Sequence, residues 1–360
     1  MHTNFLSSKE LISTAEKYTS VITKETETGQ VVLAEQGARL LGVFPETGGD
    51  NVLWVNTDLE TYLQEHHSLV GGNRLSIIPE KSFFYENPRD FEGYHVPSEI
   101  DPGEYSCIED ADTVTYENTF SLLAYDKNRL HDNSIEQRTF TSIADPYHTG
   151  LSFAGVSICD TLSIIDTEIT VALASLTKVN TLGPDAPGTI LIPVKSGCDL
   201  ITYYEPLEPG DADIAGSYCR FKIDGEKTVK IAVQPEHIQL GNACKIIYIL
   251  PSSADSNRWL CVIKRSKDIP ESQDGCIDIP ETDPEGPRGG LQVLNASQGI
   301  HETDFYQYGE LTLHFSKGTV TEGKTLCKAD HELLAYCGNE HDILEVAKTA
   351  LETEKAPVLY

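Results

Sequence analysis

The chain is short of positive charge: 27 lysines and arginines face 56 aspartates and glutamates, giving a formal charge of -29. So acidic a surface repels a phosphate backbone over any extended contact, and nucleic acid is not expected as a partner. Long hydrophobic runs are also missing. No segment nears the roughly eighteen apolar residues of a membrane span, so no membrane contact is expected. The first ten residues lack the basic start and apolar run of a secretory signal, which leads to an expectation of cytoplasmic location. Nine cysteines are scattered singly, with no Cys-x-x-Cys pair. That pattern fits neither a disulfide framework nor a thiolate zinc site, and the cysteines read as small buried hydrophobes kept reduced. Gly-x-Ser-x-Gly, Gly-x-x-x-x-Gly-Lys-Ser/Thr, the Rossmann fingerprint and His-Glu-x-x-His are all absent. The common hydrolase, nucleotide and dehydrogenase readings fall away with them, and no cofactor is expected.

What is present is a soluble, β-rich composition, 39% hydrophobic and 23% charged. Residues 7 to 18 read as a short helix with Ser7 at the cap and Glu10 three later. From about residue 20 the pattern becomes strands: 31–33, 38–44, 52–55, 113–125, 150–158, 161–176, 188–194, 218–223, 228–233, 244–250, 258–264, 291–295 and 304–315. Residues 71–110 are rich in Gly, Pro and acids, and 266–290 form a long insertion without apolar periodicity. Such loops are where binding residues concentrate. Residues 340–352 close the chain with a helix. With no repeat and no linker, the expected organisation is one β domain at 21–330 between helical segments at 1–20 and 331–360.

Residues 301–315 sort by strand period. One face carries Asp304, Tyr306, Tyr308, Glu310, Thr312 and His314; the other carries Phe305, Gln307, Gly309, Leu311, Leu313 and Phe315. The second face suits a core. The first offers carboxylates, phenols and an imidazole, which suit a polyhydroxylated ligand, so a small-molecule carbohydrate is the expected partner. Asp304 and Glu310 lie roughly 20 Å apart along the strand, far beyond the ~5–9 Å of paired glycosidase carboxylates. A metal held by His301, Glu302, Asp304, Glu310 and His314 would suit zinc, manganese or iron chemically. Glu310 and His314, however, are about 13 Å apart on a strand, and no metal site is expected. Gly71-Gly72-Asn73-Arg74, running on to Glu80, is the second stretch of interest. Its glycines allow close backbone approach, and an arginine fork can grip vicinal hydroxyls or a carboxylate. Phe83, Phe84, Tyr85, Phe91 and Tyr94 follow as a stacking platform or as pins for a long loop. His95 beside them is a candidate proton donor.

Gln36 to Val43, Asn51 to Asn56, the Gly-Gly-Asn-Arg loop, Pro187 to Pro193 and the late strand with Glu310 occur in an order that resembles the aldose 1-epimerases. The set is closest to uncharacterised bacterial branches of the galactose mutarotase-like superfamily. The resemblance implies a large antiparallel β-sandwich with short terminal helices and a concave sugar-binding sheet. It also implies a glutamate on a late strand as base, a histidine on a middle strand as acid and an early arginine binding the sugar. Glu310 and Arg74 stand where the first and last would fall. Leu173 to Asn180 stands where the family shows Asn-His, so the acid is missing, and Lys178, titrating near ~10.4 when unperturbed, is a poor substitute at neutral pH. The expected function is binding of a sugar or sugar acid with proton-transfer chemistry (epimerisation, isomerisation or elimination) from Glu310, with His95 as a further catalytic candidate. Asn73, Arg74, Glu80, Lys178, Asp304, Tyr306, Tyr308 and His314 are the expected substrate contacts. The alternatives are a non-catalytic carbohydrate-binding protein and a metal-dependent sugar enzyme.

Overall fold

In the computed structural model, which describes residues 5–204, 206–297 and 306–360, two large antiparallel sheets of nine and eleven strands enclose the main core among the described residues. The nine-stranded sheet runs in the order Val21–Glu25, Gln30–Ala34, Arg39–Phe44, Asn73–Ile78, Ala172–Val179, Gln307–His314, Leu291–Ser297, Val229–Val233 and Ile201–Tyr204. Strands distant in sequence therefore meet at its centre. Leu311, Leu313 and Phe315 are fully buried in the core, as their alternation implies. Each contributes roughly 1.5–3 kcal/mol relative to exposure. No helix among the described residues is long and apolar enough to cross a membrane.

Both terminal helices form close to where the sequence places them, at Ser8–Ala15 and Glu340–Leu351. Ser7 caps Ser8–Ala15, its Oγ accepting from the Glu10 amide while Glu10 accepts from the Ser7 amide at 3.1 Å. Asn339 caps Glu340–Leu351, whose Ile343, Val346, Ala347, Ala350 and Leu351 lie in the apolar cluster with the eleven-stranded sheet. The final helical segment starts here and not at 331, because Lys324–Gly338 is a fifteen-residue strand at the centre of that sheet. The Val52–Val55 run makes only isolated bridges, at Leu53 and Val55.

Two further differences from the sequence pattern have one cause. Residues 150–176, read as strands divided near 159–160, instead form Ser152–Ile164 and Ala172–Val179. Asp160 does not interrupt the first, since it is fully buried between Arg138 (2.8 Å) and His331 (3.0 Å). Arg129–Ser142, too polar to be recognised as a strand, buries His131, Ser134, Glu136 and Arg138 along one row. Arg138, Asp160 and His331 pair with one another inside the sandwich, which is the condition for burying them. The pairing also reaches the other sheet: Arg138 Nη2 donates to Asn73 Oδ1 at 2.8 Å. Lys264 Nζ donates to the carbonyls of Ser175 and Leu311, on two adjacent strands of the nine-stranded sheet.

Candidate functional site

Strand register gathers the site. Lys178 lies opposite Glu310, and Leu176 lies between Arg74 on one side and Thr312 on the other. Gln292 faces Thr312, Ala232 faces Gln292, and Tyr203 faces Lys230. Because side chains alternate, Arg74, Lys178, Glu310, Thr312, His314, Gln292, Lys230 and Tyr203 share one face, opposite the core. Ordinary solvated faces are not buried; here Glu310 is 7% and His314 4% exposed.

Lys178 Nζ sits 2.9 Å from Glu310 Oε2 and 3.9 Å over the Tyr308 ring, while Thr312 donates to Glu310 Oε1 at 3.1 Å. Burial alone would raise the Glu310 pKa, but Lys178, Lys230 and Arg74 outweigh it and hold the carboxyl at about 2. Trp54 lies 4.8 Å from Tyr308 and completes a wall with it. Glu80 opens the short helix Glu80–Phe83, and its carboxylate accepts from Ser76 Oγ at 3.2 Å. Its amide donates to Asp278 Oδ1 at 2.9 Å, bringing a second carboxylate to the site. Burial and Asp278 push the Glu80 carboxyl up to about 7, against Arg74 and Lys230. Burial pushes His314 down to about 4, so its ring is neutral at pH 7. Burial also works against the charge of Arg74 and of Lys230, and neighbouring acids and phenols outweigh it in both. A cavity of about 90 Å³ opens among Glu80, Tyr85, Tyr203, Lys230, Asp278 and Gln292. Two buried atoms of this cluster, Arg74 Nη1 and His314 Nδ1, have no hydrogen-bond partner among the described residues. Buried polar groups are seldom left so, and a ligand is one way to satisfy them.

The structure brings together Arg74, Glu80, Lys178, Tyr308, Glu310 and His314. It does not bring Asn73 to them. Asn73 faces the other way, its amide donating to Ser175 Oγ and Thr177 Oγ1 and accepting from Arg138. Tyr306 packs beside Tyr62 and Trp54, its hydroxyl against that of Tyr62. His95 bonds Tyr125 Oη at 3.1 Å and the Gly93 carbonyl at 3.2 Å, and no described contact joins it to Glu310. Asp304, with His301, Glu302 and Phe305, lies outside the described residues. Gly71 and Gly72 approach the protein's own backbone: a Cβ on either would stand 2.4 Å from the Trp54 carbonyl oxygen or 2.3 Å from that of Leu40. Lys230, Gln292 and Asp278 were not selected by sequence reasoning. Lys230 did carry a signal, as the one charge in the apolar strand Val-Lys-Ile-Ala-Val.

No protein-family model and no curated protein matches the chain. Among solved structures, its fold is similar to that of a galactose mutarotase-like protein from Clostridium acetobutylicum. That match has 9% identity over 90% of this chain and 99% of that one, with a TM-score of 0.46. It is also similar to galactose 1-epimerase from Lactobacillus acidophilus NCFM, at 11% identity over 89% and 94% of the two chains, with a TM-score of 0.42.

Proposed function

We propose that the polar face of the nine-stranded sheet binds a sugar acid and moves a proton on it. The observation that carries this reading is the convergence of three cations, Arg74, Lys178 and Lys230, on one face of a chain with net charge -29, with Arg74 Nη1 and His314 Nδ1 unsatisfied. Glu80 and Glu310 partly offset the charge of Arg74 and Lys230, but neither cation makes a direct ion pair among the described residues, and a neutral sugar would supply none. A carboxylated sugar supplies one, while its hydroxyls suit Thr312, Gln292 and His314 and its apolar face suits the Trp54–Tyr308 wall.

The two carboxylates are driven apart in acidity, and that separation supports distinct roles. Glu310 at about 2 is always ionised but a weak base, so it orients a hydroxyl and gains basicity only as substrate draws Lys178 away. Glu80 at about 7 is matched to giving and taking a proton at neutral pH. This pair favours epimerisation, isomerisation or elimination next to a carboxylate or anomeric carbon. The Lys178–Glu310 ion pair also favours a second reading, a carbohydrate-binding protein without turnover, because it occupies the family-implied base. Galacturonate and glucuronate followed by NMR for anomer and C–H exchange separate the two. Catalysis requires exchange above the buffer blank that falls at least about a hundredfold in Glu80→Gln with binding retained. Binding without exchange in the wild type supports the second reading, and no binding of either acid overturns both.

A further inference from the structure

A separate pocket of about 330 Å³ is lined by Phe83, His131, Asp166, Ile169, Ile277 and Arg288, none of them in the sheet-face cluster. It falls at the lower end of the ~300–1,000 Å³ usual for small-molecule sites. His131 is 5% exposed, and its Nδ1 lies 3.4 Å from Asp166 Oδ2. Arg129 holds the same carboxylate oxygen at 2.9 Å. With the proton placed on Nδ1, toward Asp166, Nε2 is the ring's acceptor. Nε2 has no partner among the described residues. A buried imidazole beside a carboxylate, itself part of the pocket lining and with its second nitrogen unsatisfied, can accept a hydrogen bond from a ligand. Phe83, Ile169, Ile277 and Ile279 supply apolar walls, while Lys127 and Arg288 supply two positive charges. Asp126 is the other carboxylate of the lining.

We propose that this pocket is a second ligand site, taking a small amphipathic carboxylate that also bears a hydroxyl. The hydroxyl donates to His131 Nε2, the hydrocarbon body packs on the isoleucines, and the carboxylate meets Arg288 and Lys127. Nothing in this inference depends on what the sheet face binds. The segment carrying Ile277 and Ile279 also supplies Asp278 to the sheet-face cavity, so one stretch of chain forms a wall of both.

Calorimetric titration of the full chain with 4-hydroxybenzoate and 6-hydroxyhexanoate tests the site, with benzoate and hexanoate as partners lacking the hydroxyl. The proposal expects at least one hydroxy acid to bind about tenfold tighter than its partner. It also expects His131→Phe to abolish that difference and Arg288→Gln to weaken both members of the pair. Should His131→Phe fold poorly, Arg288→Gln and a crystal soaked with the hydroxy acid decide the matter. No binding of either hydroxy acid at about 10 mM, equal affinity with and without the hydroxyl, or a crystal showing only water on Nε2 overturns it.

Discussion

Lys178→Met removes the ammonium 2.9 Å from Glu310 while keeping an unbranched side chain of similar length. Glu310 is held at about 2 against an ordinary 4.5. At ~1.4 kcal/mol per unit, the folded protein favours its ionised form by roughly 3 kcal/mol. Both partners are over nine-tenths buried, so little of this is lost to solvent screening. Lys178 is the largest favourable contributor, and Lys230 and Arg74 remain after the substitution. The expected loss is therefore about 2–3 kcal/mol near pH 7. Its pH dependence follows from the sign of the shift. A lowered carboxyl pKa gives stability that is full above about 4.5 and is lost as pH falls through about 2. In the variant Glu310 titrates higher and that contribution shrinks, so the gap from wild type is widest above pH ~5 and closes toward pH ~2. Urea unfolding followed by tryptophan fluorescence reads it, since Trp54 stacks on the Tyr308 ring beneath Lys178. A gap under about 0.5 kcal/mol near pH 7, or one that stays constant as pH falls to about 3, refutes the reasoning.

Glu80 takes on charge as pH rises through about 7, so affinity for a hexuronate should fall across that range in wild type and stay flat in Glu80→Gln, by calorimetry. Arg74→Met should weaken hexuronate binding about 10- to 100-fold with a small effect on the thermal midpoint, because Nη1 has no protein partner among the described residues to lose. Ser7→Ala breaks the capping box and should cost about 1 kcal/mol in urea unfolding without altering ligand affinity.

The sandwich was legible because its core strands alternate: Leu311, Leu313 and Phe315 on one side of a strand and Tyr308, Glu310 and His314 on the other determine which face is buried against the second sheet. The helices were legible because capping is local, as with Ser7 and Glu10. Arg129–Ser142 was not, because its inward row is Ser134, Glu136, Arg138 and Phe140, and the partners that make those charges tolerable, such as Asp160 and His331, lie far along the chain. For the same reason Asn73 was read toward the ligand: its period alone does not reveal that Arg138 reaches it from the other sheet. At the site, Lys178 and Glu310 could be named separately, but their pairing depends on a register across 132 residues. Asp278 was hidden further, since an acid in a Pro-Gly-acid insertion looks solvated until the insertion is seen beside Glu80.

The central claim is that a sugar acid lies on the polar face of the nine-stranded sheet, and a crystal structure grown with galacturonate or glucuronate tests it most directly. The account expects the carboxylate within hydrogen-bond distance of the Arg74 guanidinium and a sugar hydroxyl on His314 Nδ1. A sheet face empty of ligand at about 10 mM of either acid, or a sugar acid bound only at another surface, would contradict it.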